Sequence, residues 1–395
     1  MVSFALCDAS GTPLGRTPPL PLARTSGWVD AAALVTAARE RWGLELVVLR
    51  LVDARVTRGV RHLRYSAEVQ DAARTRGLDM QTVETSDFDD HPLRMPWARP
   101  GGPARDLAWA NSALAARGIR AGGVPVQIRT WNLSSLWRLP VAGGAVWLKS
   151  VPPFFAHEGA VIEQLQGHPV PRLIARTGAM CLLADVDGVD LYEPDLGSAL
   201  RMVDLIVDLQ SSAALPPGAA PPLPDWRVSA LRGSAEHALR HAYDALDTDE
   251  RRTLAALVGG LDDRAVAIEE CGLPDGIVHG DFHPGNLRGT TDRMTLLDWG
   301  DSGWGHPLLD VAAFTERLPD VAAAAAVRAH WLGRWGSLVP GSEPARALAL
   351  IAPVAALRQA IVYQGFLDRI EPSERVYHAD DPATWMRTAS ALLAD

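Results

Sequence analysis

The stretch Ile277-Val-His-Gly-Asp-Phe-His-Pro-Gly-Asn286, followed by Leu296-Leu-Asp298-Trp-Gly300, sets two carboxylates and one amide at short, fixed offsets. Asp281 has the chemistry to orient a hydroxyl and accept its proton as that oxygen attacks a terminal phosphate. Asn286 follows five residues later in a loop tightened by Pro284 and Gly285, so its amide oxygen and a carboxylate can converge on one small volume. The mostly apolar run 294–297 reads as a short strand that delivers Asp298 at its end, facing the same loop. Asn286 and Asp298 thus offer hard oxygen donors of the kind that Mg²⁺ prefers.

The order His279-x-Asp281-x-x-x-x-Asn286, then Asp298-Trp-Gly300, resembles the catalytic loop and metal-binding Asp-Phe-Gly of protein-kinase-like enzymes. With Gly305-His-Pro-Leu-Leu-Asp310 downstream, it more narrowly resembles the aminoglycoside phosphotransferase and choline kinase family, over about residues 125–320. The resemblance implies an α+β, bilobal protein-kinase-like fold, with a small β-rich nucleotide lobe and a larger helical lobe. It makes Asp281 the catalytic base and Asn286 and Asp298 the metal ligands. His279 and His283 become support for the catalytic loop, and Asp310 a buried brace beneath it.

Lys149 is the sole lysine of the chain, against 37 arginines. A position where a compact ammonium on a flexible stem cannot be replaced by a planar guanidinium fork would preserve it, and contact with nucleotide phosphates is such a position. It ends the strand-like run Ala145-Val-Trp-Leu-Lys149, as the phosphate-contacting lysine of the third kinase strand does. Glu158 opens an apolar-periodic segment in which Val161, Ile162 and Leu165 share one helical face. It resembles the glutamate that pairs with that lysine, with Glu163 the competing choice. Cys181-Leu-Leu-Ala-Asp-Val-Asp-Gly188 resembles a hinge, where the backbone of Asp185, Val186 and Asp187 would hold the adenine. Asn132, Ser134 and Ser135 fall near the junction of two predicted strands, where their side chains could cover the phosphates. The Gly-x-Gly-x-x-Gly of protein kinases is missing there.

Between Asp298 and Gly305-His-Pro there is no room for an activation segment, because the chain goes almost directly into a predicted helix over 308–318. A peptide acceptor is therefore disfavoured. The function expected is ATP-dependent transfer of the terminal phosphoryl group to a hydroxyl of a small molecule: an aminoglycoside, amino sugar, sugar or amino alcohol. The sequence leaves ATP against GTP, the acceptor, the oligomeric state and any role in antibiotic resistance open. Asp301 and Trp304 are candidates for lining the acceptor pocket. Trp226, Trp331 and Trp335 fall in the same region, where an indole can stack on a sugar or hold a cation, although core packing is the commoner use. A nucleotide-binding pseudokinase that recruits a partner is the alternative, against which every core catalytic residue counts.

Composition agrees with a soluble, multidomain enzyme: 395 residues, 48% of them hydrophobic. A net charge of −9 argues against a nucleic-acid partner. Cys7, Cys181 and Cys271 have neither paired nor metal-ligand spacing, so reduced thiols and a cytoplasmic location are expected, with no signal peptide and no membrane span. Residues 1–90 read as an accessory α+β domain: strand 3–8, turn 11–13, helix 30–42, strands 46–54 and 62–70. This order faintly resembles a Nudix hydrolase, but only Glu40 lies near a position of that family's glutamate-rich metal box. Residues 91–103, rich in Pro and Gly, read as a linker. Residues 104–184 then form the nucleotide lobe, and 185–395 the helical lobe, which includes a Pro/Ala-rich loop over 215–224.

Overall fold

Strand β1 (Val2–Cys7) is buried along almost its whole length, as suits a strand with a parallel neighbour and cover on both faces. It pairs in parallel with β4 (Val60–Val69) and antiparallel with β2 (Pro13–Arg16), while β3 (Leu46–Thr57) closes the order β2-β1-β4-β3. The short β2 begins at Pro13, the last residue of the predicted turn 11–13, and runs over residues to which the sequence pattern gives no element. This sheet belongs to the first of two units into which the computed structural model divides: residues 1–156, 173–185 and 369–377. The second unit comprises 157–172, 186–368 and 378–395. The structure describes residues 1–22, 30–83, 87–213, 223–290 and 292–393, so most of the predicted 215–224 loop lies outside the described residues.

Helix α1 (Ala31–Trp42) covers one face of the first sheet, packing Ala31, Leu34 and Ala38 against Phe4, Leu6, Leu51 and Tyr65. On the other face Cys7, Val47 and Leu49 share a core with Ala110 and Leu114 of α2 (Gly102–Ala115). Trp137, Leu139, Leu148 and Leu182 of a second sheet complete that core. This antiparallel sheet runs β5-β6-β7-β9-β8, from β5 (Val126–Trp131), β6 (Ser134–Val141), β7 (Gly144–Ser150), β8 (Leu173–Thr177) and β9 (Met180–Ala184). An edge strand leaves peptide groups unpaired, and β3 resolves this where it bulges beside Leu49. The Gln127 amide accepts from Val48 N at 2.9 Å and donates to Val48 O at 2.7 Å, and Thr130 donates to Leu49 O. Within 91–103, Arg94, Met95, Trp97 and Ala98 are buried, and Trp97 donates its indole N–H to Trp131 O.

The second unit is mainly helical. Its elements are α3 (Glu158–Gln164), β10 (Val189–Asp190), α4 (Leu196–Ser212), α5 (Arg232–Ala242), α6 (Thr248–Gly259), α7 (Leu261–Glu269) and β11 (Gly276–Val278). They continue as β12 (Leu287–Gly289), β13 (Met294–Leu296), β14 (Gly303–Gly305), α8 (Val311–Thr315), α9 (Val321–Leu338), α10 (Pro344–Leu367) and α11 (Asp381–Ala391). The predicted helix over 308–318 is instead a 3₁₀ turn, Pro307–Asp310, followed by the short α8. The His306 side chain caps that turn, with Nδ1 accepting from Leu308 N. Trp331 of α9 is buried against Phe282 and Phe314, whose rings stack at 5.0 Å, and Trp335 is buried too. These two indoles are core. Helix α10 is the one described helix long and apolar enough to cross a membrane, yet 61% of its most apolar stretch is buried inside the protein.

Residues 369–377 place two carboxyl side chains, Glu371 and Glu374, in an interior beside the buried Arg50 and Arg94. Arg94 donates Nε and Nη2 to the two oxygens of Glu371 at 2.9 and 3.0 Å, and Arg50 lies 3.7 Å from the same carboxylate. Ser373 donates to Leu51 O. Glu374, also buried, is pushed up to about 8, first by burial and then by the Glu371 carboxylate. Its folded value lies above the ordinary 4.5, so the folded state holds one more proton than the unfolded chain between those values, and stability falls as pH rises through that window. The melting temperature is therefore expected to drop from about pH 5 to about pH 8, and Glu374→Gln to remove most of that slope, as thermal denaturation across pH would read.

Candidate active site

The sequence His279-Gly-Asp281 leaves strand β11 and turns sharply, and each of its residues has a structural reason. Gly280 sits at φ +85°, and a Cβ there would run into the Asp301 carbonyl and the Arg358 guanidinium. His279 is fully buried. Its Nδ1 accepts from Asp281 N at 3.3 Å and its Nε2 lies 2.9 Å from Leu297 O. A backbone N–H can only donate and a carbonyl only accept, so the ring is neutral with its proton on Nε2. Burial, which lowers the imidazole pKa, agrees. His279 thereby ties the loop to the residue preceding Asp298.

The turn after Asp281 is equally specified. His283 Nδ1 accepts from Gly285 N at 3.0 Å, which leaves the ring's proton on Nε2, 3.5 Å from Asp281 Oδ2. Asn286 Nδ2 donates to Asp281 O at 2.9 Å and lies 3.3 Å from Asp281 Oδ2. The amide oxygen of Asn286 is therefore the atom left to meet a cation. Leu287 pairs with Leu296 across the β12–β13 hairpin, and Leu297 N donates to Asn286 O at 2.8 Å. This pairing sets Asn286 and Asp298 on adjacent strand ends. Asp298 is exposed and adopts φ +62°, ψ +69°, a left-handed conformation that costs a non-glycine residue about 1–3 kcal/mol and concentrates at functional sites. An amide oxygen and an exposed carboxylate on neighbouring strand ends make a donor set that fits Mg²⁺.

Beneath the loop Asp310 is fully buried. Its Oδ2 accepts from His279 N and Gln210 Nε2, both at 2.9 Å, and its Oδ1 accepts from Gly280 N at 2.7 Å. Burial raises its pKa, while the backbone donors of Gly280 and His279 and the Arg358 charge oppose that.

Sequence reasoning missed the groups that hold the loop's carbonyls. Arg358, fully buried in α10, donates Nη1 to Gly280 O at 2.8 Å and Nη2 to Asp301 O at 2.9 Å, and Gln359 adds a donor to Gly280 O at 3.1 Å. The Arg358 guanidinium lies over the Trp226 ring at 4.4 Å. Trp226 N in turn donates to Trp304 O at 2.7 Å, and Gly303 has no room for a Cβ against that indole. Trp226 and Trp304 thus brace the strand following Asp301; Trp304 and Asp301 are half-buried.

Glu158 is buried on α3, and its Oε1 accepts from Trp299 N at 3.2 Å, beside Asp298; Glu163 on the same helix is exposed. Of the remaining predicted residues, Lys149, Ser134, Ser135 and Asp185 lie in the first unit. Lys149 sits in the middle strand of the second sheet, paired with Leu136 and Cys181. Ser134 and Ser135 accept from the indoles of Trp131 and Trp137, and Asn132 is fully buried between those strands. Asp185 accepts from Trp147 Nε1 at 2.7 Å. The chain passes into the second unit at Val186, whose carbonyl accepts from Arg288, and Asp187 is exposed.

A family model described as "Phosphotransferase enzyme family" matches residues 137–348. The chain belongs to this phosphotransferase family. It is an enzyme of the phosphotransferase class. No curated protein matches the phosphotransferase in sequence. Its protein-kinase-like α+β fold is shared with solved structures. Macrolide 2'-phosphotransferase MphH from Brachybacterium faecium is 17% identical, with a TM-score of 0.50 over 70% of this chain and 98% of that one. A thermostable mutant of aminoglycoside phosphotransferase APH(4)-Ia is 19% identical, with a TM-score of 0.50 over 71% and 97%.

Substitutions at two positions test the loop's fastening in this phosphotransferase. Removing one side of a buried charged network costs about 3–5 kcal/mol, so Arg358→Met is expected to lower the unfolding free energy by that order in denaturant titration. Arg358→Lys keeps the charge but cannot bridge two carbonyls as the planar fork does; turnover is expected to fall at least about tenfold with nucleotide KM little changed. Gly280→Ala, which places a methyl against Asp301 O, is expected to abolish measurable transfer while the melting curve of the variant stays cooperative.

Proposed function

We propose that this phosphotransferase moves the terminal phosphoryl group of ATP to a hydroxyl of a polar small molecule, an aminoglycoside, amino sugar, sugar or amino alcohol, with Asp281 as the base. The observation that carries this reading is the Asp281 carboxylate itself. It is half-exposed, and both Asn286 and His283 approach its Oδ2. An acceptor hydroxyl hydrogen-bonded to the carboxylate would be oriented for attack and would give up its proton as the new P–O bond forms. The amide oxygen of Asn286 and the carboxylate of Asp298 would hold Mg²⁺. That ion, when bound, supplies charge neutralisation at the phosphate oxygens.

Lys149 would contact nucleotide phosphates, with Glu158 orienting it, Ser134 and Ser135 near the phosphates, and the Asp185–Asp187 backbone at the adenine. Little covalent chemistry falls to the protein in such a transfer, so positioning and fixed electrostatics would supply most of the acceleration. The loop's many backbone restraints support that reading. Residues 1–90 would serve as an accessory domain. The three cysteines, free and buried, suit a cytoplasmic enzyme. The structural likeness to a macrolide and an aminoglycoside phosphotransferase motivates including both antibiotic classes among the acceptors tested.

Incubating the protein with magnesium-ATP and a pooled panel of macrolides, aminoglycosides, amino sugars, sugars and amino alcohols, then reading products by mass spectrometry, identifies the acceptor. Asp281→Asn is expected to reduce transfer by about 10²–10⁴-fold while nucleotide affinity is retained. Transfer by the variant at the wild-type rate would remove Asp281 from the role of base.

A further inference from the structure

Among the described residues, one cluster brings three side chains of metal-binding type together: His237 and His241 of α5, and Asp368 immediately after α10, with one donor atom from each lying within 4.8 Å of the others. The histidines are four apart on one helix and so share a face; their ring centroids are 4.3 Å apart. Asp368 Oδ2 lies 2.7 Å from His237 Nε2. None of these residues belongs to the phosphoryl-transfer site described above.

We propose that His237, His241 and Asp368 form a binding site for one divalent transition ion of the zinc class. Two imidazoles and a carboxylate are the donors that Zn²⁺, Co²⁺, Ni²⁺ and Cu²⁺ take, whereas Mg²⁺ and Ca²⁺ prefer oxygen alone. Outer hydrogen bonds already orient two of the three ligands. His241 Nδ1 lies 3.0 Å from His237 O; a carbonyl only accepts, so Nδ1 carries the proton and Nε2 presents its lone pair. Asp368 Oδ1 accepts from Gln364 Nε2 at 2.8 Å, which leaves Oδ2 for the ion. Such outer partners are what fix ligand orientation in metal sites. His237 would adopt its Nδ1–H tautomer, so that the ion replaces the hydrogen between Nε2 and Asp368.

Three protein ligands leave a position for water. The side chains of His237 and Asp368 are 42% and 35% exposed, so the ion exchanges with solvent without unfolding. Its effect is structural: it joins α5 to the end of α10, the helix whose Arg358 and Gln359 hold the Gly280 carbonyl.

The test uses the full chain, stripped with EDTA and returned to buffer containing excess Mg²⁺ to saturate hard-oxygen sites. Zn²⁺ is titrated by calorimetry and Co²⁺ by its visible absorption. Wild type and Asp281→Asn are each expected to bind one equivalent, and the melting temperature to rise with Zn²⁺ and return with EDTA, since a ligand that binds the folded state stabilises it. His241→Ala, a change at an exposed residue, and Asp368→Asn are each expected to weaken binding at least about tenfold and to lose the Zn²⁺-dependent rise. Zinc affinity in His241→Ala equal to wild type, or no stoichiometric binding by the wild type, would overturn the site.

Discussion

The peptide groups of three consecutive residues, His279 to Asp281, are the constraint on which the site rests. A chain that turns this sharply in an interior must find partners for every N–H and C=O it exposes, because an unpaired buried peptide group costs as much as a lost hydrogen bond. Here two buried groups of opposite charge divide the task. Asp310 takes the N–H groups of His279 and Gly280, and Arg358 supplies N–H donors to the carbonyls of Gly280 and Asp301. Burial penalises both charges, pushing the Asp310 carboxyl up and the Arg358 guanidinium down, and each opposes the other's shift. Neither charge is well placed alone. Together they pair the N–H groups of His279 and Gly280 and the carbonyls of Gly280 and Asp301, and paired buried peptide groups are what hold a loop in one conformation.

The residues proposed for the chemistry stand out in the sequence more than their support does. Asp281, Asn286 and Asp298 are conspicuous because carboxylate, amide and carboxylate at those offsets serve few other ends, and the structure brings Asn286 to Asp281 and to the strand end before Asp298. Lys149 is conspicuous as the sole lysine, and its role is a proposal. Arg358 is one arginine among 37, in an apolar helix, 77 residues beyond Asp281. Nothing in its local pattern distinguishes a buried guanidinium from a solvated one. Gln210 was hidden in the same way, since its bond to Asp310 spans 100 residues. Partners in backbone-fastening networks answer to geometry, and geometry of that range has no periodicity to read.

The elements themselves divide along the same line. Strands and helices with clear apolar periodicity, such as Ala31–Trp42 and Gly144–Ser150, agree with their sequence patterns to within a residue or two. The segment 308–318 did not follow its pattern. Its apolar spacing suits one helix, yet Pro307 and the His306 cap set a 3₁₀ turn through Asp310 first. Residues 369–377 are the other surprise. A short polar stretch after a long helix carries no signal that Glu371 will meet Arg94 across 277 residues.

These long-range restraints also explain why glycine recurs around the loop. Gly280, Gly303 and Gly305 each sit where a Cβ would strike backbone or the Trp226 ring. The strand Gly303–Gly305 therefore approaches Trp226 as bare backbone, while Gly280 approaches the Asp301 carbonyl and the guanidinium of Arg358, which lies on the Trp226 indole's face. Close approach of this kind leaves little freedom for the backbone to relax, so Asp281 inherits its position from residues that never touch a reacting atom. In the phosphoryl transfer proposed for Asp281, where the protein's contribution is chiefly to hold groups in line, that inheritance would be the functional content of the fold: the network around Gly280 would do for Asp281 what no local sequence feature could.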